Sequence, residues 1–318
     1  MSGSRCDGVV ALTGGVGGAK LIWGLAQALE PSALTVICNP GDDFEHLGLT
    51  VCPDFDTVLY TLAGLADPER GWGRADETWA FMAALETLGG ETWFRLGDRD
   101  LALHVERSRR LAGGEGLGTI MTDICRRLGV DQQVLPASDD PLRTMVATAD
   151  GELPFQQYFV RERCAPAVRG FHFAGAAQAT AHPRALAALS DPGLRAIVIC
   201  PSNPFISIDP ILAIPGMTEA IRAAKVPVVA VSPIVGGAAI KGPAAKMLAE
   251  LGQEVSVRTV WRHYGDLIDG IVMDTCDARL AADADHDKLA ALVTPTVMTG
   301  PEERIGLARA VLAFAGSL

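Results

Sequence analysis

The sequence predicts an α/β fold of the Rossmann-like, doubly wound type, built on a mostly parallel sheet, and three observations carry this prediction. First, an apolar run over residues 8–12 leads into a glycine cluster and then into apolar residues at helical spacing over 20–29, which indicates strand, turn and helix. Second, short apolar runs alternate with helical patterns along most of the chain, an order typical of parallel sheets. Third, polar loops follow several of these runs, where parallel sheets bind their ligands.

The other core elements follow the same alternation. A second strand over 34–38 ends in Asn39-Pro40-Gly41-Asp42-Asp43, and helical rhythm runs over 58–65. Later apolar runs predict strands over residues 133–135, 196–200, 228–231, 270–273 and 294–298. Helical patterns cover residues 183–190, 218–224, 244–251, 288–292 and 301–314. This order favours βα units feeding a parallel sheet.

We expect residues 1–318 to form one α/β domain, because the chain is long enough for a large core and no linker, repeat or low-complexity tract divides it. Its predicted core comprises residues 6–60 and 131–318. Helical patterns at 78–88, 100–111 and 117–128 predict a helical insertion, about residues 61–130, over the ligand end of the sheet. Apolar, β-rich runs predict a few antiparallel strands at residues 143–148, 153–160 and 168–173.

Composition excludes several functional classes. The net charge is −11, which disfavours duplex nucleic acid as a partner because its affinity rests on neutralising phosphates. No apolar run approaches the roughly 18 residues of a membrane span, and residues 1–7 do not begin a signal peptide, so we expect a cytoplasmic protein. The seven cysteines form no C-x-x-C pair, which indicates neither a disulfide framework nor a zinc site.

The glycine cluster predicts a phosphate-binding turn. Backbone N–H groups at a helix N-terminus attract anions, and Gly14, Gly15 and Gly17 would let an anion approach the backbone. The turn is not a P-loop, because Leu21 follows Lys20 where that motif has Ser or Thr. It also lacks the third glycine of a dinucleotide fingerprint. A tight turn without a ligand is the alternative.

Four carboxylates fall within fifteen residues: Asp42, Asp43, Asp54 and Asp56. Carboxylates this close repel one another unless a cation or hydrogen-bond donors lie among them. Mg²⁺ commonly takes one or two carboxylates together with substrate phosphates. A magnesium site is therefore one interpretation, and capping of the following helix by Asp54 is the other.

Two further segments are candidates for ligand contact. Residues 93–100 alternate aromatic and charged side chains, which suits a flat, partly polar ligand or, alternatively, a salt-bridged helix start. The loop containing Ser202 and Asn203 follows a predicted strand. Neither a G-x-S-x-G elbow nor an H-E-x-x-H helix occurs, which leaves phosphate chemistry favoured over the common hydrolase types.

Several motifs together resemble the 2-phospho-L-lactate transferase family of coenzyme F420 biosynthesis, which includes a bacterial phosphoenolpyruvate form. They run in order from about residue 8 to about residue 275, and no single motif is as specific as the set. The motifs are Thr13-Gly14-Gly15-Val16-Gly17-Gly18-Ala19-Lys20-Leu21, Pro53-Asp54-Phe55-Asp56-Thr57-Val58-Leu59-Tyr60, Leu96-Gly97-Asp98-Arg99-Asp100, Ser138-Asp139-Asp140-Pro141, Pro201-Ser202-Asn203-Pro204 and Ser232-Pro233-Ile234-Val235-Gly236.

The resemblance implies a Mg²⁺-dependent, usually homodimeric transferase. Its donor would be a guanosine diphosphate-linked phospholactate, phosphoenolpyruvate or phosphoglycerate, and its acceptor the ribityl hydroxyl of the deazaflavin Fo, with GMP leaving. The family's Fo contacts fall on Asp56 and Arg95. Val16 stands where other members have threonine, so one hydroxyl contact to phosphate is absent.

Residues and resemblance together give one mechanistic hypothesis. Asp42 or Asp43 holds the metal, and Asp56 orients the attacking hydroxyl or acts as its base. Arg95 packs on the deazaflavin, since guanidinium groups stack on aromatic faces. The nucleotide and its phosphates contact Gly14, Gly15, Gly17, Lys20, Ser202 and Asn203.

Two other functions stay open at this point. A related group with a similar glycine turn comprises sugar-nucleotide-binding regulatory proteins, against which the Asp56–Arg95 pair and residues 97–100 argue. A nucleotide-dependent oxidoreductase is the second, which Lys20 and Asn39 disfavour because they stand where a glycine and an acidic residue are expected.

Overall fold

The computed structural model of the protein describes residues 8–68, 70 and 72–318. The segment 1–7, on which the expectation of no signal peptide rests, lies outside the described residues. The strands are β1 Gly8–Thr13, β2 Leu34–Cys38, β3 Phe44–His46, β4 Leu49–Val51, β5 Gln133–Pro136, β6 Arg143–Thr148, β7 Gly151–Pro154, β8 Val168–Ala174, β9 Leu194–Ile199, β10 Val228–Val231, β11 Ile234–Val235, β12 Ala238–Ala239, β13 Gly270–Met273 and β14 Ala290–Val293.

Twelve α-helices occur in the described part of the chain. They are α1 Gly15–Ala28, α2 Pro53–Leu62, α3 Ala80–Thr87, α4 Asp98–Ala112, α5 Leu117–Arg127, α6 Pro183–Leu189, α7 Asp209–Leu212, α8 Met217–Ala223, α9 Ala244–Glu250, α10 Val257–Tyr264, α11 Ala281–His286 and α12 Pro301–Ala315. None of them combines the length and apolarity that a bilayer crossing requires.

The main sheet confirms the predicted fold class. Seven strands lie in the order β14-β13-β10-β9-β1-β2-β5, and every neighbouring pair is parallel. Small antiparallel sheets accompany it: the hairpins β3–β4 and β11–β12, and the three-stranded sheet β7-β6-β8. From central β1 the chain winds first toward β2 and β5, then toward β9 and beyond. The switch point of the sheet therefore lies between β1 and β9, where such sheets bind ligands.

Both faces of the sheet are covered, as a parallel sheet requires. In β1, Val10 and Leu12 point into one core cluster while Val9 and Ala11 point into the other. The first cluster packs against helices including α8 and α10, and the second against α1, α2, α5 and α12. Gly24 lets α1 and α12 approach closely, because a Cβ there would lie 2.2 Å from the carbonyl oxygen of Arg304.

Several sequence-based boundaries were wrong. The first helix begins at Gly15, not near Lys20, so the glycines form its first turn. Residues 288–292, predicted helical, contain strand β14, and residues 294–298, predicted as a strand, are irregular. The run 153–160 leaves the strand at Pro154 and becomes a π-helical turn. The hairpin β3–β4 and helix α10 were not predicted. The division into one domain with an insertion at 61–130 stays a prediction.

Candidate active site at the switch point

Two backbone N–H groups of the glycine turn donate hydrogen bonds to side chains of the protein. Gly15 adopts φ +67°, the left-handed conformation that glycine tolerates best, and its N–H donates to Asp54 Oδ1 at 2.7 Å. The N–H of Gly14 donates to Ser202 Oγ at 3.1 Å, and this hydroxyl donates back to the Gly14 carbonyl at 2.8 Å. Among the described residues, the N–H groups of Val16 and Gly17 have no acceptor. These two amides are available to an anion.

Three glycines of the turn, Gly14, Gly17 and Gly18, also allow close packing within the protein. A Cβ on Gly14 would lie 2.4 Å from Asp54 Oδ2, and one on Gly17 would lie 2.5 Å from the carbonyl oxygen of Pro201. A Cβ on Gly18 would lie 2.0 Å from Thr13 Oγ1. The sequence analysis assigned Gly14 and Gly17 to ligand approach, whereas the atoms that would exclude a side chain at both positions belong to the protein.

Asn39, at the end of β2, connects the turn to the acidic segment. Its Nδ2 lies 2.8 Å from Asp54 Oδ2, 3.1 Å from Asp42 Oδ1 and 3.0 Å from the carbonyl oxygen of Ile206. Its Oδ1 accepts from the N–H of Gly41 at 2.7 Å. One buried amide thus fixes two carboxylates beside the turn. Asp54 does not cap α2. Cys52 occupies the N-cap position, and the Asp54 carboxylate accepts hydrogen bonds from Gly15 and Asn39 instead.

The acidic cluster, which we define as Asp42, Asp43 and Asp54, is buried, and the nearby charges of Arg143 and Arg107 offset the burial of Asp43 only in part. All three residues are at most 6 % exposed. Burial raises the pKa of Asp43 to about 7 and that of Asp54 to about 6. Burial, followed by the negative charge of Asp54, raises the pKa of Asp42 well above its usual range. Asp43 Oδ1 is buried and has no hydrogen-bond partner among the described residues.

Asp56 is held by an ion pair that the sequence did not predict. Arg107 of α4, fully buried, donates to both carboxylate oxygens of Asp56 at 2.7 and 2.8 Å, and its Nε donates to the Thr50 carbonyl at 3.1 Å. Such bidentate pairs fix the orientation of the carboxylate. A base role for Asp56 requires this pair to open, so the observed geometry supports an orienting role instead.

The ion pair continues as a buried chain of polar groups. Arg107 lies 2.7 Å from His104 Nδ1, and because a guanidinium can only donate, His104 accepts there and carries its proton on Nε2. His104 Nε2 lies 3.3 Å from Asp100 Oδ1 without a hydrogen bond to it, and Asp100 Oδ1 accepts from the Tyr60 hydroxyl at 2.5 Å. The chain ties α4 to α2 and fixes the position of Asp56.

An aromatic group lies next to the acidic cluster. Phe44, directly after Asp43, packs edge-on against Phe94 with ring centroids 4.8 Å apart, and Trp93 lies 5.1 Å from His46. Arg95 is exposed and places its guanidinium 4.2 Å from the ring centroid of Trp79. Arg95 therefore stacks on an aromatic face, as the sequence suggested for a ligand, but the face belongs to the protein.

Two residues predicted to contact the nucleotide, Lys20 and Asn203, have partners within the protein. Lys20 Nζ donates to the Met298 carbonyl at 2.8 Å. Asn203 accepts from the N–H of Phe205 at 3.0 Å, and its Nδ2 contacts Met247 Sδ at 3.4 Å. The structure therefore brings Gly14, Gly15, Ser202 and the four aspartates together, while Lys20 and Asn203 have other protein partners. Their contacts with a nucleotide stay predictions.

The acidic cluster fits a divalent cation that completes its shell with substrate phosphates. Across residues 8–68, 70 and 72–318, no three His, Cys, Asp or Glu side chains are grouped as metal ligands. The orphaned Asp43 Oδ1 and the raised pKa values nevertheless identify carboxylates that gain from a cation. Mg²⁺ needs only one or two such ligands when a phosphate is present.

Comparison with known proteins decides the family. A model of the family described as 2-phospho-L-lactate transferase CofD matches residues 9–296. The chain belongs to this transferase family. A phosphoenolpyruvate transferase from Kitasatospora aureofaciens is 43 % identical over 314 residues, covering 96 % of this chain and 97 % of its own. Another from Streptomyces griseus is 42 % identical over 313 residues, covering 96 % and 98 %.

Solved structures extend the likeness of fold beyond this family. A UPF0052 family protein from Bacillus halodurans, with a crystal structure at 2.60 Å resolution, superposes with a TM-score of 0.63 at 17 % identity. The superposition covers 98 % of this chain and all of that one. At this identity the likeness concerns the fold alone.

Proposed function

We propose that this transferase moves a three-carbon phosphate group from a guanosine diphosphate-linked donor to the ribityl hydroxyl of Fo, releasing GMP, in coenzyme F420 biosynthesis. The donor acid is phosphoenolpyruvate, phospholactate or phosphoglycerate, and the name shared by the relatives favours phosphoenolpyruvate. The observation that carries the proposal is the adjacency of a buried acidic cluster to two unpaired amides at the switch point.

Each part of the site has a task in this reaction. The amides of Val16 and Gly17, at the positive end of α1, bind oxygens of the diphosphate. Asp42 and Asp43 hold Mg²⁺, which neutralises charge on the phosphate oxygens when bound. Phosphoryl transfer depends mainly on such positioning and neutralisation. Asp54 fixes the conformation of the turn by accepting a hydrogen bond from the Gly15 N–H.

The acceptor lies on the side of the acidic cluster where the aromatic residues gather. A tricyclic deazaflavin offers a flat face, which Phe44 and Trp93 can contact edge-on or face-on. Arg95 can add a guanidinium contact after leaving Trp79. Asp56, fixed by Arg107, accepts a hydrogen bond from the attacking hydroxyl.

The transfer step balances as a substitution at phosphorus. The ribityl oxygen forms a new bond to the phosphorus that carries the three-carbon acid. The bond from that phosphorus to the bridging oxygen breaks, and the bridging oxygen leaves as part of GMP. The hydroxyl proton passes to water. No oxidant or reductant takes part.

Product mass analysis tests the proposal. The protein is incubated with Fo, Mg²⁺ and each guanylylated three-carbon donor in turn, and we expect the Fo mass to rise by one phosphorylated acid with one donor. Deazaflavin fluorescence provides the matched binding test, since a regulatory sugar-nucleotide-binding protein would leave it unchanged. Unmodified Fo with every donor would contradict the proposal.

A further inference from the structure

A π-helical turn over Pro204–Ile208 lies across the switch point of the sheet. The turn follows β9, contacts β1 and has all five of its residues buried. The carbonyl oxygen of Ile206 accepts a hydrogen bond from Asn39 Nδ2 at 3.0 Å, and Asn39 directly follows β2. The π-helical turn therefore reaches from the β9 side of the glycine turn to its β2 side. Single turns of this kind occur frequently at functional sites.

Contacts at both ends fix the π-helical turn. At its start, Asn203 Oδ1 accepts from the N–H of Phe205 at 3.0 Å. The ring of Phe205 stacks on that of Phe171, with centroids 5.7 Å apart. At its end, Asp209 Oδ1 lies 2.8 Å from His263 Nε2 on α10. The side chains of the turn are therefore held in place before any ligand binds.

Ser207 is the polar side chain of this turn, and its hydroxyl is unused. The residue is 5 % exposed, and its N–H donates to the Asn203 carbonyl at 3.0 Å. In the part of the chain that the structure describes, Ser207 Oγ has no hydrogen-bond partner. Buried polar groups normally have a partner, and a group without one gains free energy when a ligand supplies it. The Ser207 hydroxyl is therefore a candidate for ligand contact.

This hydroxyl faces the N-terminus of α1. Gly14 is the N-cap of that helix, and a Cβ on Gly14 would lie 2.7 Å from Ser207 Cβ and 3.0 Å from Ser207 Oγ. The same glycine contacts Ser202, whose hydroxyl exchanges two hydrogen bonds with its backbone. It also contacts Asp54, whose carboxylate accepts hydrogen bonds from two other donors. Of these three side chains, Ser207 is the one with an unused hydrogen-bond donor.

We infer that the Ser207 hydroxyl is a third donor of the phosphate site at the N-terminus of α1, beside the amides of Val16 and Gly17. This inference rests on the proposed function and adds one binding residue to it. The amides belong to α1 and the hydroxyl to the segment after β9, so the donors lie on two elements that meet at Gly14. A diphosphate has enough acceptor oxygens to take all three hydrogen bonds. The ligand class is therefore a phosphate or diphosphate, whatever nucleoside it carries.

Calorimetric titration of the full chain with inorganic pyrophosphate and with guanosine, in the presence of Mg²⁺, tests this inference. We expect Ser207→Ala to weaken pyrophosphate binding about tenfold, the usual effect of losing one hydrogen bond to a charged group. Guanosine affinity should not change, because guanosine has no phosphate. The thermal midpoint of ligand-free Ser207→Ala should equal that of wild type, because the variant loses no hydrogen bond within the described part of the protein.

Two other serine variants provide matched controls. Ser190→Ala removes an exposed hydroxyl at the end of α6 and should bind pyrophosphate as wild type does. Ser202→Ala removes both hydrogen bonds to the Gly14 backbone, so it should lower the thermal midpoint where Ser207→Ala does not.

The outcomes separate this phosphate contact from the proposed function. Unchanged pyrophosphate affinity in Ser207→Ala would overturn the inference even if transfer to Fo proceeds, and so would a lower thermal midpoint without loss of affinity. An equal loss of pyrophosphate and guanosine binding would also overturn it. Lack of any transfer product, together with pyrophosphate binding that depends on Ser207, would keep the phosphate site and reject the reaction. A wild-type protein that does not bind pyrophosphate would overturn the site.

Discussion

The carboxylate of Asp54 accepts a 2.7 Å hydrogen bond from the backbone N–H of Gly15, which places an acidic side chain directly on the predicted phosphate-binding turn. The same carboxylate contacts Asn39 at 2.8 Å, and Asn39 contacts Asp42. The predicted phosphate-binding turn and the proposed metal-binding segment are therefore one hydrogen-bonded unit. A change at either end alters the other.

Removing Asp54 should loosen this unit. Asp54→Ala leaves the Gly15 N–H and the Asn39 amide without their acceptor, and we expect a loss of about 1–3 kcal/mol in the free energy of unfolding. Asp54→Asn keeps one oxygen acceptor and serves as the control, with a smaller loss. Urea denaturation measures both. Equal stability of Asp54→Ala and wild type would show that the contact contributes nothing.

The buried ion pair predicts strong coupling between Arg107 and Asp56. Arg107→Met leaves Asp56 as an unpaired buried charge, and we expect destabilisation of about 3–5 kcal/mol. Asp56→Leu in the same chain should recover part of this loss. The four proteins form a double-mutant cycle, measured by denaturant unfolding. Additive effects would mean that the two residues are not coupled.

The raised pKa values of the acidic cluster determine how the stability of the folded protein changes with pH. Burial raises the pKa of Asp43 to about 7 and that of Asp54 to about 6, so these carboxyls hold protons in the folded state that the unfolded chain has released. Their contribution to stability is therefore full below the unfolded value of 3.8 and declines as pH rises toward about 7.

If Asp42 and Asp43 bind Mg²⁺ as we propose, the metal competes with those protons. We expect added Mg²⁺ to raise the thermal midpoint more at about pH 8 than at about pH 5, on either side of these pKa values. Calcium-free and magnesium-free buffers with a chelator give the baseline at each pH, and Asp43→Asn is the control variant. A stabilisation by Mg²⁺ that is equal at both pH values, or that persists in Asp43→Asn, would remove Asp43 from the metal site.

The contact between α1 and α12 gives a packing prediction. Gly24→Ala places a Cβ 2.2 Å from the Arg304 carbonyl oxygen, so the helices must separate, and we expect a loss of about 1–3 kcal/mol. Gly306→Ala on α12 is the control, because a Cβ there meets open space and alanine favours helix by about 1 kcal/mol. Thermal unfolding compares the two. An unchanged thermal midpoint in Gly24→Ala would show that α1 and α12 can separate at little cost in free energy.

The local sequence pattern predicted several strands together with their first and last residues. Strands β2, β10 and β13 begin and end where the apolar runs do, because each run is bounded by polar or turn residues. The error over residues 288–298 has a physical cause: a short apolar run suits a strand or a buried helix equally, and only pairing with β13 decides. The start of α1 was missed because its first turn consists mostly of glycine, a poor helix former.

The positions of several candidate site residues followed from the sequence, whereas their pairings did not. Asp42 and Asp43 lie at the carboxyl end of β2 as the parallel-sheet rule requires. Arg107 was missed, although Asp100, His104 and Arg107 recur at helical spacing and so share one face of α4. Their burial depends on α4 packing against β4 and α2, which no local pattern reveals.

The most direct test of the account is Fo-dependent release of GMP from the guanylylated donor in the presence of Mg²⁺, compared between wild type, Asp43→Asn and the exposed control Asp150→Asn. We expect GMP and modified Fo in equal amounts with wild type and Asp150→Asn, and a drop of at least about a hundredfold with Asp43→Asn, in line with the loss of a metal ligand's electrostatic stabilisation. GMP release that proceeds without Fo, or unchanged turnover in Asp43→Asn, would contradict the account.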